Sequence, residues 1–316
     1  LNEIQGQIFD DTVTTIAEQE HAKTIINNSE ETEETKQIMK FISGVAGVGK
    51  SHLIKTLAQQ ISLTYTITPH DEEYSAPAVI IGAPTAYAAI HINGNTNHSI
   101  FSLGESYSRY KPMSSEIASE KKVLFDNCKL IIIDEISMCS NVTLMQINLR
   151  CQEITGSKKL FGGLNILVFG DLLQLPAIKS LQVFEPLSST QVYSSFAGGT
   201  GLNLWEEFEY LELLENMRQQ NALIYSTALE RLRIGGTTEE DFEMFKSRII
   251  EPARNGGKPT FTEMAQYYLT LCENGSNNVM AIFPKVNDVN LFNAAVMKCK
   301  RLEIVDIFAK NSSDSG

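Results

Sequence analysis

Residues 44 to 51 read Gly44-Val45-Ala46-Gly47-Val48-Gly49-Lys50-Ser51, a match to the phosphate-binding pattern G-x-x-x-x-G-K-[ST]. Each residue type has a chemical reason. Glycines let the backbone wrap closely round a phosphate chain with its N–H groups pointing inward. Lys50 can reach the β- and γ-phosphates, and the Ser51 hydroxyl can sit on Mg²⁺. A helix starting here adds the positive end of its dipole. The flanks support the pattern. Lys40-Phe41-Ile42-Ser43 is strand-like, and Leu53, Ile54, Leu57 and Ile61 recur at helical spacing. The eight residues therefore read as a nucleotide site.

A second element belongs with the first. Leu130-Ile131-Ile132-Ile133 is an apolar run ending in Asp134-Glu135, as in a buried parallel strand whose C-terminal end carries function. One carboxylate there can hold Mg²⁺, directly or through water, and the next can position and deprotonate an attacking water. Asp134 is assigned to the metal and Glu135 to the base.

The elements that must hold these residues alternate along the chain. Pro77 to Ile81 reads as strand, Thr85 to Ile92 as helix and Leu164 to Phe169 as strand. Tyr210 to Leu214 again reads as strand, followed by helices near Ala222–Leu232 and Glu239–Ile249 and a last β–α unit from Val279 to Met297. Residues 103–122 read as an insertion or loop, and residues 178–203, rich in Ser, Thr and Gly, as a linker. This alternation around a phosphate-binding loop implies an α/β fold with a parallel, doubly wound sheet. It sets a first domain at 1–203 and a second at 204–316.

Composition bounds the answer from outside. A chain of 316 residues, 43% of them hydrophobic, can bury a sizeable core and make more than one domain. No apolar stretch approaches the roughly 18 residues needed to span a bilayer, and no secretory start is present, so a membrane partner is not expected and an intracellular protein is. Cys128, Cys139, Cys151, Cys272 and Cys299 are scattered without C-x-x-C pairing, which fits buried thiols in a reducing compartment better than zinc or a disulfide frame. The formal net charge of −12 weakens a nucleic-acid reading without excluding one, because local basic residues can still line a groove. The chain opens on Leu1, not Met, and is expected to be a segment of something longer.

Taken in order, the motifs resemble those of the Pif-type (petite integration frequency) DNA helicases, relatives of the RecD helicases within superfamily 1. The likeness runs over nearly all 316 residues and implies a RecA-like fold. Leu1-Asn2-Glu3-Ile4-Gln5 is similar to the family's glutamine motif, which implies that Gln5 reads the adenine edge. Ala83-Pro84-Thr85-Ala86-Tyr87-Ala88-Ala89, continuing to Gly94-Asn95-Thr96-Asn97-His98-Ser99, resembles the strand-contacting motif. Relatives usually have Gly where Ala86 stands. The resemblance implies DNA contacts from Pro84, Thr85, His98 and Ser99, while locally Thr85 and Ser99 read equally well as helix caps. Asp134-Glu135-Ile136-Ser137-Met138 has the family's form of the carboxylate motif. Phe161-Gly162-Gly163, then Gly170-Asp171-Leu172-Leu173-Gln174-Leu175-Pro176, resembles its signature and third motif, with Gln174 as γ-phosphate sensor. Leu214-Glu215-Asn216-Met217-Arg218-Gln219 resembles the fourth motif and implies that Arg218 reaches the γ-phosphate across a cleft. Ala228 to Gly236, followed by Thr237 and Asp241, reads as scaffold.

The resemblance implies an ATP-hydrolysing motor, with Mg²⁺ as cofactor and single-stranded or tailed DNA as partner. It implies 5′ to 3′ movement, service in repair, recombination or telomere maintenance, and the nucleus ahead of the mitochondrion. Val279 to Pro284 with Asn287 to Asn293 is similar to the early second lobe, and no late second-lobe motif follows before Gly316. The second lobe is therefore expected to be incomplete, and a second function class stays open: an ATP-binding switch or fragment with little or no unwinding.

Overall fold

The computed structural model describes residues 1–26, 36–65, 76–104, 109–196, 203–216, 223–249, 257–274 and 279–300. The chain divides into two compact units, Leu1–Thr227 and Ala228–Gly316.

The first unit is built on six strands: β1 (Met39–Gly44), β2 (Val79–Ala83), β3 (Asn95–Thr96), β4 (Leu130–Ile133), β5 (Ile166–Gly170) and β6 (Glu209–Leu213). They form one sheet in the order β3-β2-β4-β5-β1-β6, parallel throughout. All four residues of β4 and all five of β5 are buried, as expected of central parallel strands covered on both faces. Side chains alternate between two cores. Ile131, Ile133, Ile166 and Val168 pack on one side with Phe101, Phe125, Leu144 and Ile147. Leu130, Ile132, Leu167 and Phe169 pack on the other with Leu53, Ile54, Leu57 and Ile61.

The helices that supply these partners are α1 (Glu3–Ile26), α2 (Lys50–Tyr65), α3 (Ala86–His91), α4 (Asn97–Phe101), α5 (Ser115–Phe125), α6 (Asn141–Thr155) and α7 (Ser189–Phe196). Buried Gln5, Ile8, Thr12, Ile16 and Gln19 recur every three or four residues on α1, a stripe that docks this helix onto the sheet. The stretch expected as an insertion contributes to the scaffold. α5 begins within it and contributes buried Lys121, whose ammonium donates to the Ser99 carbonyl at 2.9 Å, and just beyond it Phe125.

Two expectations change here. Residues 178–196 are tied to the first unit and do not act as a free linker. Val183 is buried in the core, Ser140 bridges to Gln182, and the Asn141 amide donates to the Glu185 carbonyl at 3.1 Å. The strand expected to open a second domain after residue 203 is β6, and it pairs with β1 from Lys40↔Glu209 to Gly44↔Leu213. The compact division therefore falls after Thr227, because pairing between residues some 170 apart leaves no local mark in the sequence.

The remaining helices are α8 (Leu223–Arg233), α9 (Glu239–Lys246), α10 (Phe261–Glu273) and α11 (Val286–Cys299). Thr238 and Asp241 form a capping box at the start of α9. Arg231 grips the same Asp241 carboxylate with two N–H donors, which holds that carboxyl well below its usual range. Arg231 is thus scaffold, as the sequence indicates. In the second unit Tyr268, Phe283 and Phe292 stack together, with Phe261 against Phe283. Among its described residues no strand forms. The β-element expected at Val279–Pro284 has irregular backbone, and only its helix, α11, is present.

Candidate nucleotide-binding and catalytic site

Because every strand of the sheet is parallel, all six C-terminal ends lie on one edge, where a doubly wound fold carries its ligands. β1 ends at Gly44, the chain turns through Val45 to Gly49, and α2 begins at Lys50. The first amides of α2 and its dipole therefore point into the loop. Gly49 has φ +85°, and a Cβ built there would lie 2.5 Å from the Gln5 amide nitrogen. The position excludes a side chain twice over, by backbone conformation and by space. Lys50 Nζ donates to the carbonyls of Gly44 (2.6 Å) and Val45 (3.2 Å), so its ammonium lies over the loop it is expected to serve.

Strand β4 delivers the carboxylates. The Asp134 amide donates to the Gly82 carbonyl at 2.9 Å, continuing the ladder, and its buried side chain accepts from the Glu135 amide at 2.9 Å. Burial pushes the Asp134 carboxyl up to about 6, with the Glu135 charge acting in the same direction; the Glu135 N–H and the Lys50 charge oppose the shift. Glu135 sits at φ +50°, ψ +45°. A non-glycine residue in the left-handed region costs on the order of 1 kcal/mol and persists where the surroundings impose it. Here they do: the residue stands between a fully buried strand and a 3-10 turn, Ile136–Met138, packed against Gly170 of β5.

β5 supplies the third part. Beyond Gly170, buried Asp171 accepts from the Leu173 amide and the Gln174 side chain, both at 3.1 Å, and its carbonyl accepts from the Gln174 amide at 2.9 Å. Asp171 thus fixes the turn that presents Gln174.

These parts converge. Ala46, Gly47, Gly49, Lys50, Ser51, Asp134, Glu135 and Gln174 line one cavity of about 410 Å³, together with His52. Gly44, Val45 and Val48 belong to the loop's supporting side. Pro84, Thr85, His98 and Ser99 lie farther along the same edge, at the ends of β2 and β3, outside this cavity. Thr85 caps α3 by accepting from the Ala88 amide. The cap of α4 is Thr96, not Ser99, which lies inside that helix. Arg218 lies outside the described residues.

Gln5 is 3% exposed and sits beneath the loop, not on the cavity wall. Its Nε2 donates to the Val48 carbonyl at 2.8 Å, and its Oε1 accepts from the Asn2 amide at 3.1 Å. A carbonyl on one side and an N–H on the other fix the orientation of the amide. Asn2 Oδ1 accepts from the Gln5 amide, and Asn2 Nδ2 donates to Glu215 at 3.1 Å. Asn2 and His52 are site residues that sequence reasoning misses. His52 carries a signal, since it follows Ser51 directly. Asn2 carries none.

A family model for PIF1-like helicases matches residues 15–234. That is more than half of the chain. The chain belongs to the PIF1-like helicase family. Among curated relatives, it is 30% identical over 203 residues to the ATP-dependent DNA helicase PIF1 of Danio rerio, covering 63% of this chain and 28% of that protein. It is 26% identical over 248 residues to PIF1 of Candida albicans, covering 75% and 26%. Among solved structures, Bacteroides Pif1 bound to ssDNA aligns with a TM-score of 0.52 at 25% identity, covering 69% of this chain and 48% of that one. The Candida albicans Pif1 helicase shares the fold with a TM-score of 0.55 at 19% identity, covering 89% and 55%. The chain spans about a quarter of the length of these curated relatives and about half of these solved chains.

The family's Phe161-Gly162-Gly163 stretch has a structural role here. All three residues have positive φ, Phe161 is fully buried, and a Cβ on Gly162 would lie 2.5 Å from the Cys151 carbonyl of α6. The turn needs its glycine to lie against that helix.

Among the described residues no three His, Cys, Asp or Glu side chains cluster so as to hold a metal by themselves. The donors at the cavity fit Mg²⁺ in another way. Mg²⁺ takes one or two protein oxygens and completes its shell with water and substrate phosphate. A buried carboxylate at Asp134 and the hydroxyl of Ser51 on the first turn of α2 are such donors. No described helix is long and apolar enough to cross a membrane.

Proposed function

We propose that the first unit is the ATPase lobe of an ATP-dependent DNA helicase. The single observation that carries this reading is the cavity shared by the phosphate-binding loop, Asp134, Glu135 and Gln174. Lys50 pairs with the β- and γ-phosphates, and loop amides from Gly44 to Ser51 cradle them. Ser51 and Asp134 hold Mg²⁺, which neutralises phosphate charge when bound. Glu135 takes the proton of the attacking water, and Gln174 orients that water or donates to the γ-phosphate. Arg218 reaches the same phosphate across a cleft. Gln5, as the loop's strut, serves nucleotide binding from beneath. The strut role of Gln5 is supported by its hydrogen bond to the Val48 carbonyl, and the role of Arg218 rests on family resemblance.

DNA runs along Pro84, Thr85, His98 and Ser99, and closure on ATP steps the protein 5′ to 3′ along a single strand. Membership of the family supports a role in DNA repair, recombination or telomere maintenance in the nucleus. The pairing of β6 with β1 supports a first lobe that runs at least through residue 213, and that the second unit begins a further lobe rests on family resemblance. Steady-state ATP turnover, measured with and without single-stranded DNA, tests the reading. Several-fold stimulation is the expected result. An equal, slow rate in both would favour an ATP-binding switch.

A further inference from the structure

Helix α3 turns two kinds of face to its surroundings. Ala89 and, just after the helix, Ile92 are buried in the core. Tyr87, Ile90 and His91, spaced i, i+3 and i+4, share the opposite face. Tyr87 is 74% and Ile90 73% exposed, and the Tyr87 and His91 rings meet edge to face with centroids 4.5 Å apart. Two large exposed side chains on a six-residue helix, with one ring held by another, form an apolar platform of a kind that needs explaining.

Its place on the fold and its charge indicate the occupant. The helix follows Pro84-Thr85 at the C-terminal end of β2, on the edge that carries the phosphate-binding loop. Tyr87, Ile90 and His91 are not among the residues that line the nucleotide cavity, so the platform is distinct from it. The chain holds 38 Asp and Glu, yet none lies between Glu73 and Glu105. The only comparable gap, from Glu34 to Asp71, contains the phosphate-binding loop. The stretch holds no Lys or Arg either, so it adds no attraction for phosphate but presents no like charge to a polyanion, and an exposed ring on it suits the flat face of a base.

We propose that Tyr87, held by His91, is a stacking platform for a base of single-stranded nucleic acid. The inference rests on the DNA reading above and adds to it a contact with bases, where Thr85 and Ser99 are suited to the backbone. Stacking on aromatic side chains is sequence-tolerant, because every base has a π-face. A platform of this kind would grip the strand without choosing its sequence.

The test separates bases from phosphates. The 316-residue chain and its Tyr87→Ala and Tyr87→Phe variants are titrated with a fluorescent oligothymidine and with an abasic strand of the same length and charge. Wild type and Tyr87→Phe should bind oligothymidine more tightly than the abasic strand, by roughly 5- to 150-fold for one stacked base. Tyr87→Ala should lose that preference while binding the abasic strand as wild type does. A Tyr87→Trp variant adds a spectroscopic readout: its new tryptophan should be quenched by oligothymidine and not by the abasic strand. Equal binding of the two strands by wild type, or an unchanged preference in Tyr87→Ala, overturns the stacking proposal and leaves the DNA reading standing. Failure of wild type to bind either strand overturns the DNA reading and the platform with it.

Discussion

The first unit has two prominent cavities at opposite edges of its sheet, and the larger one is not the better site. The cavity where the strands begin has a volume of about 570 Å³ and is lined by Lys23, Lys36, Lys129 and Lys159 around Glu20, Gln19, Gln37 and Asn165. The cavity where the strands end is smaller, about 410 Å³. At the first, the polar groups satisfy one another. Glu20 pairs with Lys129 at 2.6 Å and with Lys23 at 2.7 Å, and the Asn165 amide joins Gln19, Ile38 and the Lys129 carbonyl. At the second, polar groups from three separate strand ends converge without saturating one another, and burial pushes the Asp134 carboxyl up to about 6. A desolvated carboxyl among convergent polar groups marks function better than volume or lysine count does.

The comparison breaks most readily at Lys50. Lys50→Ala should lower ATP turnover on the order of a hundredfold or more, since the phosphate charge loses its cation at the point where it develops. Unchanged turnover in a steady-state assay would remove the catalytic role from this edge.

Asp134→Asn sharpens the contrast by separating stability from activity. The folded-state carboxyl lies near 6, above the ordinary 3.8. Its contribution to stability is fully present below pH 3.8 and is lost as pH rises through 6, where a buried group must ionise. At neutral pH that cost is roughly 3 kcal/mol. The asparagine should therefore raise the melting temperature of the nucleotide-free protein by several degrees at pH 7.5 and by almost nothing at pH 4. The same variant should lose Mg²⁺-dependent hydrolysis. Melting curves at the two pH values, alongside turnover, check both halves.

The smallest effect belongs to the other edge. Lys36→Ala and Lys129→Ala should leave ATP affinity and turnover within twofold of wild type. Lys129→Ala should cost at most about 1 kcal/mol of stability, because a partly exposed ion pair contributes little. A large loss of turnover in either would show that the two edges are not independent.

The site was legible in the sequence wherever its residues are contiguous. The phosphate-binding loop, the Ile131-to-Glu135 run and the Gly170-to-Gln174 turn each carry their structure in local pattern, and the chain brings them together simply by being a parallel sheet. What stayed hidden depends on distant contacts. Gln5 reads as a residue facing the adenine, yet it props the loop from 43 residues away through the Val48 carbonyl. β6 looks like the start of a new domain because its partner β1 lies some 170 residues earlier. Ser99 reads as a helix cap, yet the hydroxyl that caps α4 is that of Thr96, three residues earlier, a difference that only the backbone makes. The run at Val279–Pro284 has the composition of a strand and, among the described residues, no neighbour to pair with, so β-propensity alone did not make it one.

The most direct measurement is made on Glu135→Gln. The amide keeps the shape of the side chain but cannot accept a proton from water. Binding of ATP with Mg²⁺, followed by equilibrium titration, should match wild type within a few-fold, while steady-state turnover falls by more than about a hundredfold. Wild-type turnover in this variant would contradict the assignment of Glu135 as the base, and loss of nucleotide binding along with turnover would make it a binding residue instead.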